Sequence, residues 1–386
     1  MMKILFKILL GLAIIYGLII FIVPNIIDEK YNPVTQKPPY KVSPEAQQLF
    51  NSLDFIADLH CDALLWKRDL NKKNDFGQVD IPRLIEGKVS LQAFTIVSKV
   101  PFGLNVKSNS ESSDMLIFQS IASGRSPKTW FSYYNRAIAQ CRELRKYAKK
   151  SDGKFRVLLS SSDLENFLID KKSQPEITAG FIGLEGLYPL EGKIENIEKL
   201  YQAGVRMMAP VHFIDNELGG SAHGLSHKGL TEFGKKVIQE IEKKNIILDI
   251  AHSLPQLIDD VLEIYHKPII SSHTGVQGNC PSQRNLSDKH LKAIAQSGGL
   301  IGIAFFQEAI CGTDALAVAK AIKYTVDLIG ADYVALGSDF DGSITAPFDI
   351  TGLNLLVEEM MNVGLTSEEI RKVMGDNVKN FWLKNL

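Results

Sequence analysis

Ile56-Ala-Asp-Leu-His60-Cys-Asp62 is an apolar run that breaks off in His-x-Asp. Residues 55–59 read as a short buried strand, with Asp58 the polar exception. In an extended chain, residues two apart point the same way, so His60 and Asp62 converge on one point beyond the strand end. An imidazole nitrogen beside a carboxylate oxygen suits a dication such as zinc. A single His-x-Asp is a common accident, and its weight depends on what closes the other strands.

Downstream, apolar runs alternate with helical segments. Strand-like runs fall at 90–97, 180–184, 205–211, 246–251, 268–272, 300–305 and 333–337, with a further candidate at 155–160. Amphipathic or charged segments lie at 131–149, 194–203, 231–244, 256–265, 288–296 and 315–329. Runs that are apolar throughout suit strands buried on both faces, and β–α alternation implies a parallel sheet. Eight such units make an α/β fold of the (β/α)8 TIM-barrel type, with 155–160 left outside it. An open doubly wound sheet is the alternative. No strand-like run leads into G-x-G-x-x-G or G-x-x-x-x-G-K-[ST], so its nucleotide-binding forms lack support. Thr366, ahead of Ser367-Glu-Glu-Ile, is a candidate cap for a last helix, and the polar stretch 107–113 reads as a flap over the barrel mouth.

The 386 residues are 45% hydrophobic and 23% charged, enough for a large core. A net charge of −1 with no basic block argues against a nucleic-acid partner. Residues 4–23 are almost uninterruptedly apolar, and a helix of about 20 residues spans the roughly 30 Å bilayer core. Lys3 and Lys7 favour a cytoplasmic N-terminus with the remainder translocated. Phe21-Ile-Val-Pro-Asn-Ile-Ile-Asp28 lacks the small-x-small pattern of a cleavage site, which favours an uncleaved signal-anchor over a removed signal peptide. The expected division is a transmembrane segment at 1–27, a polar linker at 28–44 and a barrel domain at 45–386, periplasmic or extracellular. Cys61, Cys141, Cys280 and Cys311 have no C-x-x-C spacing, so a cysteine zinc site is excluded. An exported domain could form a disulfide among them, with its partners undetermined.

The strand ends carry the chemistry. They close in Gly183-Leu-Glu185-Gly, Leu248-Asp-Ile-Ala-His252-Ser, Ile270-Ser-Ser-His273-Thr and Leu336-Gly-Ser-Asp339-Phe-Asp341-Gly. All strand C-termini of a parallel barrel lie on one face, the face that hosts the active site. His60, Asp62, Glu185, His252, His273 and Asp339 are therefore expected around a single mouth. Each has a plainer reading alone: a hydrogen-bonded strand-end histidine, or a carboxylate capping the next helix. Four independent accidents on one face are a poor explanation. Five ligands exceed the three of a mononuclear zinc enzyme and divide over two ions if Glu185 bridges. One ion would take His60, Asp62 and Glu185; the other Glu185, His252 and His273. A pair of ions activates a shared water, leaving Asp339 as proton shuttle. His223, His227, His266 and His290 read as solvated.

Taken together, His60-x-Asp62, Gly-Leu-Glu185-Gly, Asp-Ile-Ala-His252-Ser, Ser-Ser-His273-Thr, Arg284-Asn285 and Gly-Ser-Asp339-Phe-Asp-Gly resemble the membrane (renal-type) dipeptidase family, peptidase family M19, from about residue 50 onward. The resemblance implies a metal-dependent amidohydrolase barrel that cleaves dipeptides at two zinc ions through a bridging hydroxide, with the five ligands above. It further implies that His212, in Ala-Pro-Val-His-Phe, contacts the scissile carbonyl. Arg284, with Asn285, would bind the substrate, the arginine holding its terminal carboxylate. The stretch from Asn216 to Leu225 resembles the family's pocket-lining loop. The N-terminal apolar segment departs from the mammalian lipid anchor and suggests a bacterial-type member. No cysteine motif carries over the mammalian disulfides or dimer, which leaves a homodimer open. Family members differ over D-amino acids at the C-terminal position, and some open β-lactams. A binuclear hydrolase of another amide or lactam is one alternative; an inactive, membrane-displayed binding module is another.

Overall fold

The computed structural model describes residues 2–386. One parallel sheet contains β1 (Ala57–Asp58), β2 (Leu91–Val97), β3 (Phe155–Val157), β4 (Thr178–Glu185), β5 (Val205–Met208), β6 (Ile247–Asp249), β7 (Ile269–Thr274), β8 (Leu300–Ile303) and β9 (Val334–Leu336). Pairing runs from β2 through β1 to β9 and on down to β4, and β2 pairs back with β4, which closes an eight-stranded barrel. That closure excludes the open doubly wound sheet. The extra run at 155–160 is β3, which pairs with the first half of β4 (Phe155 with Thr178) while β5 takes the second half (Ile182 with Val205).

Several strands are shorter than their apolar runs suggest, β1 and β5 among them. The ladder of β5 ends at Met208, two residues before Pro210, which has no N–H to donate. Beyond β1 the pairing goes on irregularly, with Leu59 N–H donating to Leu336 O at 2.9 Å and Asp62 N–H to Phe340 O at 2.8 Å. This irregular continuation carries His60 and Asp62 to the mouth.

Side chains alternate along each strand, and the inward column of β4 reads Ala179, Phe181, Gly183, Glu185. Ala179 and Phe181 pack with Leu91, Ala93, Met207, Ile247 and Ala335 in an apolar lower layer. Trp382, on the C-terminal helix Asn377–Asn385, meets Phe181 edge-on at 4.1 Å in the same cluster. Towards the other end the columns carry buried Thr95, Glu185, Asp249 and Ser272, which makes that end of the barrel polar. The close approach of β7, β8 and β9 there needs glycine: a Cβ on Gly337 or Gly302 would lie 1.9 or 2.1 Å from Ser272 O. Thr366 caps the helix Ser367–Arg371 in a reciprocal box with Glu369.

The N-terminal helix α1 runs over Met2–Tyr31, with Pro24 inside it, and is longer than its apolar stretch. Its last turns dock on the barrel domain. Arg68 holds Asp28 through Nη1 at 2.5 and 2.7 Å, and holds Asp341 through Nη2. Residues after α1, expected as a linker, lie along the domain: Thr35 N–H donates to Ala346 O at 2.9 Å and Gln36 N–H to Pro347 O at 3.0 Å. Cys280 and Cys311 are disulfide-bonded, and Cys61 and Cys141 are buried thiols.

Candidate metal centre

His60, Asp62, Glu185, His252, His273 and Asp339 meet at the mouth, buried, as expected from the strand ends. Glu185 Oε1 lies 2.9 Å from His252 Nε2, 3.4 Å from His273 Nε2 and 3.8 Å from His60 Nε2. His60 Nε2 is also 3.6 Å from Asp62 Oδ1 and 3.8 Å from Asp339 Oδ1. His252 and His273 approach nitrogen to nitrogen at 2.9 Å. His212 joins them, its Nε2 3.1 Å from Glu185 Oε2.

Three groups of donor atoms have the spacing of metal ligands: His60, Glu185 and His273; Glu185, His212 and His252; His60, Asp62 and Asp339. Glu185 and His60 each belong to two of them, and the carboxylate, with two oxygens, is the one suited to bridge. The grouping differs from the expected one in drawing His273 towards His60, bringing in His212 and setting Asp339, expected outside the ligand set, with His60 and Asp62.

The electrostatics ask for cations. Burial holds His212, His252 and His273 well below the usual histidine range, so they are neutral lone-pair donors. Burial alone would also lower His60, but Glu185, Asp62 and Asp339 outweigh it and raise it to about 10. Burial pushes Asp339 up to about 8 against the pull of His60, and raises Glu185 as well. Glu185 Oε1 and His60 Nε2 have no hydrogen-bond partner among the described residues. Buried carboxylates and neutral imidazoles, with donors left unmatched at their point of convergence, fit divalent cations.

Neighbouring side chains aim these donors. Ser272 Oγ lies 3.0 Å from Nδ1 of both His60 and His273. A hydroxyl oxygen accepts two hydrogen bonds, so Ser272 can hold both rings as Nδ1–H tautomers with Nε2 bare. Thr95 Oγ1 donates to Asp62 Oδ1 at 2.6 Å. Asp58 accepts from Ser338 N–H at 2.8 Å and from its hydroxyl at 2.6 Å, fixing the residue before Asp339. The backbones of His252 and Asp339 are left-handed (φ 61° and 64°), a strain of roughly 1–3 kcal/mol each, of the kind that gathers at functional sites.

Arg284 is buried, with Nη2 donating to His273 O at 2.6 Å, and burial lowers its pKa against the pull of Asp339, Glu185 and Asp249. Asn285 plays a different part from the one expected. Its amide hydrogens go to Cys280 O and Ala309 O, both at 2.8 Å, and its Oδ1 accepts from Gly275 N–H at 3.2 Å. It pins the loop that presents Arg284.

Two histidines read as solvated are buried. His290 bonds Ser287 and Asp259 on the outside of the barrel. His223 lines the site, its ring centroid 5.3 Å from that of His252 and its Nδ1 2.8 Å from Val106 O. Asn109 N–H donates to His223 O at 2.7 Å, and Gln283 reaches Val106 O and Lys107 O, so the 107–113 flap is tied across the mouth. Nothing in the local sequence at His223 signals burial, because the contact comes from the flap, over 100 residues away.

Comparison with known proteins decides the lineage. The model of the membrane dipeptidases, peptidase family M19, matches residues 45–384. The chain belongs to this family. Among its relatives, an uncharacterized Klebsiella pneumoniae protein encoded 5′ of pqqA is 29% identical over 62% of this chain and 93% of its own length. Dipeptidase aclJ of Aspergillus oryzae is 24% identical over 84% of this chain and 76% of its own. Of solved structures, a Rhodobacter sphaeroides metallopeptidase liganded with a phosphinate mimic of L-Ala-D-Ala superposes with a TM-score of 0.69 (23% identity; 86% of this chain, 99% of that one). The probable dipeptidase PvdM of Pseudomonas aeruginosa gives 0.72 (17% identity; 88% and 97%). At those identities the superpositions support the barrel fold. This M19 chain is a metallo-dipeptidase by family, on a closed TIM barrel.

Proposed function

We propose that this M19 protein is a zinc-dependent dipeptidase, anchored by α1, with its catalytic domain outside the cytoplasm. The observation that carries the reading is the convergence of His60, Asp62, Glu185, His252 and His273 on one buried point with Glu185 in the middle. Those five residues would hold two zinc ions, with His212 within reach of the second. A pair of ions held there would lower the pKa of an attacking water and offset negative charge on the reacting carbonyl.

The chain's own groups supply the rest. Arg284 would pair with the substrate's terminal carboxylate; its Nε and Nη1 make no hydrogen bond among the described residues. Neutral His212 would donate an N–H to the scissile carbonyl oxygen. Asp339 would take a proton from the attacking water and pass it to the leaving amine. The mouth flap would exclude bulk water. The Rhodobacter neighbour's L-Ala-D-Ala mimic motivates testing substrates with a C-terminal D-residue. The Cys280–Cys311 bond fits an oxidising compartment, as expected if the domain is exported.

The test uses the full chain in detergent. Metal content is measured, with turnover of L,L- and L,D-dipeptides, for wild type and Asp339→Asn. Two zinc per chain, turnover in the wild type and its loss in the metal-retaining variant are expected. Two metals with no dipeptide cleaved would move the search to other amides or lactams.

A further inference from the structure

We propose that the helix Leu116–Ala122 and the adjoining turn at Phe102 form a second membrane contact, inserting into the lipid interface beside the barrel mouth. This rests on the reading of α1 as a membrane anchor. The argument is one of length. Of the apolar stretch 4–23, residues 4–15 come before Tyr16, whose Oη donates to Ile121 O at 3.0 Å, the first hydrogen bond from α1 to the domain among the described residues. Those residues span about 18 Å, short of the roughly 30 Å hydrocarbon core. The remaining depth, about 12 Å, has to be covered by the next turns of α1, which lie against the domain. Ile20 packs where a Cβ on Gly124 would touch it at 3.5 Å, and Lys67 Nζ donates to Ile20 O at 2.7 Å. A bilayer that covers residues 4–23 therefore reaches the level of Leu116–Ala122.

What the domain presents at that level suits lipid. Phe118 is 62% exposed and Phe102 54% exposed, their rings 5.6 Å apart, with Met115 exposed beside them in the chain. Phe21 of α1, 75% exposed, extends the apolar surface on the anchor itself. Exposed aromatic groups clustered in this way are costly in water and favourable at a membrane interface. Lys67 Nζ, 5.5 Å from the Phe21 ring centroid, is placed to reach phosphate headgroups from the edge of the patch. The loop from β2 that carries Phe102 also carries Asn109 and Val106, which close on His223 at the mouth. The mouth would thus open next to the bilayer surface.

The test uses the full chain in nanodiscs, with a nitroxide on single cysteines replacing Leu9, Phe102, Phe118 or Ile169, each variant checked for retained turnover. Accessibility is read with oxygen, which partitions into lipid, and a water-soluble nickel chelate. Labels at Leu9, Phe102 and Phe118 should favour oxygen; the label at Ile169, exposed on the distant helix Ser161–Ser173, should favour nickel. A lipid-exposed Leu9 label with water-exposed Phe102 and Phe118 labels would leave the anchor standing and overturn the second contact. Labels shielded from both reagents would also overturn it, by showing a protein partner on the patch. A water-exposed Leu9 label would remove the anchor and this inference together.

Discussion

Arg68 joins Asp28, near the end of α1, to Asp341, two residues beyond Asp339. Both pairs are buried, with Asp28 bound at 2.5 and 2.7 Å. Asp341 also accepts from Gln78 N–H at 2.7 Å and Val79 N–H at 3.1 Å. The end of the helix and the loop of the proposed proton shuttle therefore share one guanidinium.

Replacing Arg68 with Met would leave two carboxylates buried without their cation. The expected cost is about 3–5 kcal/mol, the usual penalty for breaking a buried pair from one side. Asp28→Asn, which keeps an acceptor for Arg68, should cost less. Denaturant unfolding of both variants checks the order. An Asp28→Asn variant as stable as the wild type, with Arg68→Met still costly, would mean that Arg68 serves Asp341 alone and that the end of α1 is merely adjacent.

Ser272 gives a sharper test of the metal centre. Ser272→Ala removes the acceptor shared by His60 and His273 Nδ1, and should weaken metal binding by about 10–100-fold, as loss of a group behind a ligand usually does. Ser271 is the internal control: its hydroxyl is buried without a partner, so Ser271→Ala should leave affinity unchanged. Competition against a chelator measures both. Identical affinities in the two variants would show that the imidazoles are oriented by packing alone.

Ser272 also marks where sequence reasoning stops. Residues that end strands were legible, because the barrel sends every strand C-terminus to one face and period two fixes which side chain points in. That logic found His60, Asp62, Glu185, His252, His273 and Asp339. It did not find Thr95 or Ser272, whose roles depend on which neighbour each hydroxyl meets, nor His223, which is covered by a distant flap. Asn285 lies beside Arg284 in sequence yet turns to the backbone, a choice made by loop geometry rather than residue type. The closed ring was legible from the count of βα units, whereas the docking of residues 28–36 was masked by their polar, proline-containing composition.

The disulfide should matter to substrate binding more than to chemistry. Cys280 and Cys311, 31 residues apart, tie the loop bearing Arg284 to the segment after β8, where Asn285 also bonds Ala309 O. Replacing both cysteines with serine should lower stability by about 2–4 kcal/mol, by freeing the unfolded chain. The loosened loop should raise KM for dipeptides several-fold with a smaller change in kcat. Amidating the substrate's carboxylate should erase that difference between the two proteins, since the contact at stake is the proposed pairing of Arg284 with that carboxylate. A KM effect that survives amidation would place the disulfide's influence elsewhere.

His223 predicts an acid-side loss of stability. Burial lowers it from the ordinary histidine value to about 4, with Arg284 pushing the same way. A histidine depressed on folding binds its proton more readily unfolded, so stability is fully present above about pH 6.5 and drains away as pH falls towards 4. The full shift corresponds to about 3 kcal/mol. His223→Gln cannot titrate, and its stability should fall less steeply over that window even if it starts lower at pH 7. Parallel unfolding curves between pH 7 and pH 4.5, with metal held saturating so that the ligand histidines stay neutral, provide the comparison. Equal slopes would mean that His223 takes up its proton within the fold, with the flap opening to admit water beside it.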